Sequence, residues 1–290
     1  MTAMFWMNAI VQGILLGGLY ALFATGLSLI FGVMRLVNIA HGDLIVLAAY
    51  IALVVVQATG LHPLVSALLV VPIMAVIGYM LQRFLLNPVL GKDVLSPLLV
   101  TFGISVLLQN GLLLGFTADS QRLSAGALET ASLDILPGLT VGILPLLMFV
   151  VSIVVIFCLD RVFFHTSLGR AFRATSDDGE VAQLMMIDRR HITSMAMALS
   201  LGVVAIAGIF LAIRTNFDPA SGPTRLIFGF EAVIIGGLGN LWGTLAGGVV
   251  LGVAQAIGAQ ISPGWQILAG HIVFFIILAV SPRGLFPKMD

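Results

Sequence analysis

Five polar side chains interrupt long apolar runs: Asn38, His41, Asp43, Glu231 and Asn240. Polar groups at membrane depth are costly and usually face a cavity, a partner or the interface. A carboxylate or an imidazole there can line a solute path, relay a proton or bond amides freed at a helix break. Asn38, His41 and Asp43 lie where one apolar run stops and the next begins. They either line the inner end of a path or serve the helix start, with Asn38 or Asp43 as its cap and His41 at headgroup level. Glu231 sits in a short apolar segment, where it lines a path or bonds backbone at a break. Asn240 is expected to end that segment in a left-handed turn. Gln109 and Asn110 fall mid-span, where hydrogen bonding between helices is the default. His271, inside the last apolar run, reads as a packing histidine rather than a proton relay.

A second constellation is a charged island. Ten of the chain's 26 Asp, Glu, Lys and Arg residues fall between Asp160 and Arg190. Within it, Asp177 and Glu180 have the spacing of a capping box. Val181, Leu184 and Met185 then share one face of a short amphipathic helix, with Glu180 and Gln183 off it. Such an insert in an apolar chain marks either a meeting place with a water-soluble partner or an interfacial helix that only covers a loop.

The elements that position these groups follow from composition. The chain has 290 residues, 60% apolar and 9% charged, with mean hydropathy +1.14. Soluble domains are about 25% charged. This chain is therefore a polytopic membrane protein. Its apolar runs are too long and too unalternating for barrel strands, so the fold is all-α. Zero net charge and no basic stripe exclude a nucleic-acid surface. Cys158, the only cysteine, allows no disulfide and no thiolate metal site.

Spans of roughly 20 apolar residues are expected at Asn8–Phe31, Leu44–Ala58, Leu64–Leu86 (broken by Pro72), Pro97–Phe116, Leu139–Leu159 and Ile192–Ile213. Ile227–Leu238, Leu241–Ile261 and Trp265–Val280 complete a set of eight or nine. A polar loop runs from Thr117 to Pro137. With nine crossings and the insert inside, Arg35, Arg83, Lys92, Arg161, Arg170, Arg173, Arg189, Arg190, Arg283 and Lys288 are inner. Only Arg122, Arg214 and Arg225 are outer, a strong positive-inside bias. The N-terminus is then outside and the tail inside. A re-entrant Ile227–Leu238 would move the tail outside. The whole of 1–290 reads as a single transmembrane domain, with the cytoplasmic loop 161–191 inside it.

Small-residue spacings at Gly13/Gly17, Gly239/Gly243/Gly247 and Gly248/Gly252 let helices approach closely. They suit either a moving seam or internal packing. IFGVMRLVN (30–38) and IIGGLGNLWG (234–243) hint at an internal repeat.

GRAFRA followed by EVAQLMMI resembles the EAA-type cytoplasmic loop of ABC importer permeases. The matching positions are Gly169, Arg170, Arg173, Glu180, Ala182, Leu184 and Ile187. Val181 stands where that family has alanine, and Met186 where it has glycine. GLSLIFGVMRLVNIAHGDLIVLAAY (26–50) and FGFEAVIIGGLGNLWGTLAGGVVLGV (228–253) resemble the signatures of Liv-type branched-chain amino acid permeases.

The resemblance implies a permease subunit of a bacterial ABC importer in the inner membrane. The loop would then be a coupling helix seated in an ATPase groove. It also implies two ATPase subunits, a second related permease and a periplasmic binding protein, beside membrane lipid. The solute would be leucine, isoleucine or valine, or a small relative such as urea or an amide. The chain has no Walker GxxxxGK[ST], so no cofactor is expected in it and ATP belongs to the partner. It also lacks HExxH, GxSxG and any clustered catalytic set. A self-sufficient secondary carrier is the alternative, with Glu231 and Asp43 as its coupling acids.

Overall fold

The structure, a computed structural model, describes residues 2–91, 93, 95–136 and 139–286. Lys92, Lys288 and the loop end Pro137 lie outside the described residues. The helices are α1 (Thr2–Met34), α2 (His41–Thr59), α3 (Ala67–Met80), α4 (Leu95–Phe116) and the short α5 (Ala127–Thr130). A hairpin follows, β1 (Ser132–Leu136) with β2 (Leu139–Gly142). Then come α6 (Ile143–His165), α7 (Ser167–Asp177), α8 (Gly179–Leu184), α9 (Arg189–Arg214), α10 (Gly222–Gly236), α11 (Leu241–Ile261) and α12 (Trp265–Val280). Seven described helices are long and apolar enough to cross a membrane. The protein is an all-α, multi-pass membrane protein.

Two helices form its centre. In α1 and α9, 83% of the most apolar stretch is buried, against 22% in α3 and α4. Leu68, Leu99, Leu107 and Leu114 on α3 and α4 are strongly exposed. That is the pattern of helices whose outer faces meet lipid. Glycine sets the close packing of α1 on α11. A methyl group added at Gly17 would lie 2.5 Å from Val249 Cα, and one at Gly13 2.6 Å from Val253 Cα. Gly248 and Gly252 press back on the carbonyls of Gly17 and Gly13. The small-residue spacings are thus internal seams of this chain.

Topology follows from the neighbours of each helix end. The insert joins the C-terminal end of α6 to the start of α9, which defines one face. On that face Ser176 meets Gly32, and Gly32 meets Gly239. At the opposite face, Gln12 bonds Thr140 and Gln121 pairs with Phe217. The helix α10 follows the loop of Phe217 and ends at Gly236, against Gly243 on the insert face. Leu285 and Phe286 bond Ile235 and Gly236 there. So α10 runs toward the insert face, and the tail through Phe286 lies there too. At 15 residues, α10 spans about 22 Å, short of the roughly 30 Å hydrocarbon core.

Two local expectations are corrected. Pro72 does not break its helix: α3 runs through it, and the irregularity is a π-helical turn at Leu81–Leu86. Proline removes one backbone donor, which does not by itself end a helix held by packing. The run from Leu139 starts as β2, paired antiparallel with β1, and turns helical only at Ile143. An apolar strand and an apolar helix look alike by composition.

Candidate functional site

The insert is built as an anchor and a tip. Thr166 caps α7 by accepting from the Gly169 amide at 3.1 Å. Gly169 packs on the Val162 and Phe163 carbonyls, so any side chain there would collide with backbone. Phe172 is fully buried and stacks near Phe163, their centroids 5.2 Å apart. Arg173 donates to the Phe163 carbonyl and its guanidinium lies 5.4 Å from the Phe164 ring. Ser176 Oγ donates to the Gly32 carbonyl at 2.8 Å, tying α7 to the end of α1.

The tip is α8. Its cap is Asp178, which accepts from Glu180 and Val181 amides at 2.9 and 3.1 Å. Asp177 is instead the last residue of α7, so the Asp177–Glu180 capping box does not form. The chain turns extended at Asp178, one residue later than expected. Ala182 is buried and Ile187 is half-buried against the core. Leu184 is 82%, Met185 74% and Met186 96% exposed. Met186 adopts φ 63°, the left-handed conformation that favours glycine, at the position where the EAA pattern has glycine. The turn therefore persists with a methionine in it. Asp188 then caps α9 and pairs with Arg83 at 3.8 Å.

The seven coupling candidates thus divide by role. Gly169, Arg173, Ala182 and Ile187 hold the insert onto the body. Arg170, Glu180 and Leu184 are exposed. Behind the insert, a cavity of about 400 Å³ separates α7 from the α10–α11 break, with Ser28, Phe172, Ser176, Asn240 and Trp242 on its walls.

Asn240 has two duties at that break. Its Oδ1 caps α11 at the Gly243 amide (2.9 Å), and its Nδ2 donates to the Phe286 carbonyl (2.9 Å). It is not the left-handed residue; Gly237 and Gly239 take that conformation, where no Cβ opposes it.

Asn38, His41 and Asp43 come together at the start of α2, deep in the protein. Asn38 Oδ1 accepts from the Ala40 amide at 3.1 Å, so it holds the turn that leads into α2. His41 is fully buried, not at headgroup level. Its Nε2 lies 2.8 Å from the Phe23 carbonyl, an acceptor, so Nε2 carries the proton. Asp43 is no cap. It accepts from Ser105 Oγ at 2.5 Å and Gln109 Nε2 at 3.0 Å on α4, and Gly222 packs against it. Because His41 sits beside Phe23 and Gly26 in the middle of α1, the residues before α2 climb back from the insert face to mid-depth. Gln109 makes the expected interhelical bond, whereas Asn110 bonds its own helix at Val106.

Glu231 lies elsewhere. It is 4% exposed and pairs through Oε1 with His271 Nδ1, while Oε2 is buried without a partner. His271 is 33% exposed beside a groove of about 400 Å³. The sequence reading also missed the buried polar atoms of Tyr20, Gln255, Arg214 and Arg225. Tyr20 donates to Gln255 Oε1 at 2.5 Å. Its ring packs on Phe228 of α10, the centroids 5.1 Å apart. The two arginines read as ordinary outer-loop cations; only the fold shows them turned inward.

The chain matches the model of the family described as branched-chain amino acid transport system / permease component over residues 9–281. It is similar to the high-affinity branched-chain amino acid transport system permease protein BraD of Pseudomonas aeruginosa, 26% identical, covering 98% of this chain and 97% of the relative. It is also similar to LivH of Escherichia coli K12, 23% identical over 99% of this chain and 97% of that protein. A probable branched-chain amino acid transport permease protein LivH of Methanocaldococcus jannaschii is 26% identical, covering 95% and 91%. No solved structure matches the chain significantly.

Proposed function

Because the chain belongs to the branched-chain amino acid transport system permease family, we propose that it is the membrane-spanning permease subunit of an ATP-driven importer of leucine, isoleucine and valine. The reading is supported by named relatives that are branched-chain amino acid transport permeases along almost their whole length. The chain is a transport component rather than an enzyme, and ATP is bound and hydrolysed on two separate ATPase subunits. A second, related permease and a binding protein outside the membrane complete the assembly. The insert lies in the cytoplasm and the helices cross the inner membrane of the cell.

The observation that carries the coupling mechanism is the bare apolar tip of α8. Leu184, Met185 and Met186 are uncovered in the chain alone. A contiguous apolar group in that position marks a protein-binding site. Glu180 on α8 and Arg170 on α7 are exposed charges of the same insert. The ATPase grips this tip. Its motion passes along α7, whose Phe172 and Arg173 are keyed to α6, to the Ser176–Gly32 bond and so to the end of α1. Gly32 faces Gly239, so the same push reaches the hinge between α10 and α11. Alternation between outward and inward access then follows from shifting helices packed through glycine seams.

The test is co-purification with the cognate ATPase. The wild-type permease is expected to retain it in detergent, and the Leu184→Asp/Met185→Asp double variant to lose it while still eluting as folded protein. Retention of the ATPase by that variant would overturn the docking assignment.

A further inference from the structure

The cavity behind the insert carries more chemistry than the coupling route needs. Its walls come from α1, α6, α7 and the start of α11, and it encloses about 400 Å³. That volume falls within the roughly 300–1,000 Å³ usual for small-molecule sites. Leu29, Phe163 and Phe172 give it an apolar wall. Asp160 and Arg173 line the same cavity, so both signs of charge meet one space.

Neither charge is used up by the chain. Asp160 makes no side-chain hydrogen bond or ion pair among the described residues. Arg173 commits only Nη1, to the Phe163 carbonyl, and leaves the rest of its guanidinium fork open. Such a fork is suited to a carboxylate. Trp242, in the first turn of α11, brings the positive end of that helix dipole to the same cavity. Ser28 lines it too. It is 1% exposed and its Oγ has no partner, and a buried hydroxyl left bare costs about 1–3 kcal/mol.

We infer that this cavity is an inhibitory site for a zwitterionic α-amino acid with an apolar side chain, entering from the cytoplasm. The ammonium is received by Asp160, the carboxylate by Arg173 and the start of α11, and the side chain by Leu29, Phe163 and Phe172. Ser28 Oγ gains a polar partner from the ligand. Position supplies the effect. The ligand joins α6 and α7 to α11, and so braces the Ser176–Gly32 and Gly32–Gly239 contacts through which the insert acts. Solute accumulated on the inner side thereby slows further import. The inference rests on the coupling route proposed above and adds a brake to it.

The experiment uses the complete importer in proteoliposomes, with its cytoplasmic face and ATP in the lumen and labelled leucine outside. Unlabelled leucine loaded in the lumen is expected to lower the initial rate of uptake. Each variant is compared with its own rate at zero luminal leucine. Asp160→Asn is expected to raise the half-inhibitory concentration about tenfold, the loss of one charge-assisted contact. Ser28→Ala is expected to raise it by a smaller factor. Luminal isoamylamine and 4-methylpentanoate, each lacking one of the two charges, are expected not to inhibit. In the complex carrying Cys158→Ser, leucine is expected to slow alkylation of Trp242→Cys on this chain, and phosphatidylethanolamine, a lipid zwitterion, to leave it unchanged. If the wild-type complex shows no ATP-dependent uptake, the coupling reading fails, and the alkylation still tests the site. Uptake indifferent to luminal leucine, or inhibited equally in Asp160→Asn, overturns the brake. Protection by the lipid and not by leucine overturns the amino acid as the ligand. Should Asp160→Asn fail to assemble, Ser28→Ala and the alkylation decide.

Discussion

Asp43 and Glu231 are two carboxylates buried at membrane depth, 2% and 4% exposed, and the chain treats them oppositely. Both oxygens of Asp43 are satisfied from α4, by Ser105 and Gln109, and Gly222 closes over it. Glu231 has one partner, His271, and one bare oxygen beside a groove. A carboxylate whose own chain completes its hydrogen bonds is a lock. One left incomplete next to space is not locked by its own chain. Asp43 fixes the start of α2 to α4 and α10, whereas Glu231 pairs with His271 of α12 and keeps one oxygen bare.

That contrast can be broken by four substitutions. Asp43→Leu strands both Ser105 and Gln109 and is expected to cost about 3 kcal/mol or more. It should show as a large loss of folded yield and of thermal stability in detergent, with transport lost only in proportion to folded protein. Ser105→Ala removes one of the two donors and should cost about 2 kcal/mol by the same measurement. Glu231→Gln should reverse the pattern. Its thermal midpoint stays near wild type, while leucine uptake per assembled complex falls by a factor equivalent to about 1.4 kcal/mol. A Glu231 variant that unfolds as badly as the Asp43 variant would erase the distinction. The smallest effect is expected at Met186→Gly, which relieves a left-handed methionine and should stabilise the insert by about 1 kcal/mol. Slower amide exchange over residues 179–188 would report it.

The same pair shows what sequence can disclose. Asp43 and Glu231 both stood out as carboxylates in apolar runs, because burial cost is a property of residue type. Which was locked and which was left incomplete depended on α4 and α12, remote in sequence from each. The insert was legible because ten charges in one stretch need no partner to be seen. Its cap slipped from Asp177 to Asp178 because two adjacent aspartates offer equal chemistry and only the end of α7 chooses between them. The distribution of arginine and lysine favoured nine crossings, and seven described helices are long and apolar enough to cross a membrane. By contrast, Arg214 and Arg225 were hidden by that same count, since a cation at a span end looks identical whether it points to water or inward. Asn240 was found, but its φ of −103° belongs to an N-cap, and the neighbouring Gly237 and Gly239 make the turn. The hairpin at Ser132–Gly142 was invisible because its second strand shares the apolar composition of α6.

The central claim is that this permease is driven through the α8 tip by a separate ATPase. Leucine uptake into proteoliposomes holding the full complex, with and without internal ATP, tests it most directly. Wild-type uptake is expected to require ATP, and the Leu184→Asp/Met185→Asp variant to show none while keeping a wild-type thermal midpoint. Uptake by the permease without its ATPase, or ATP-driven uptake undiminished in that variant, would contradict the account.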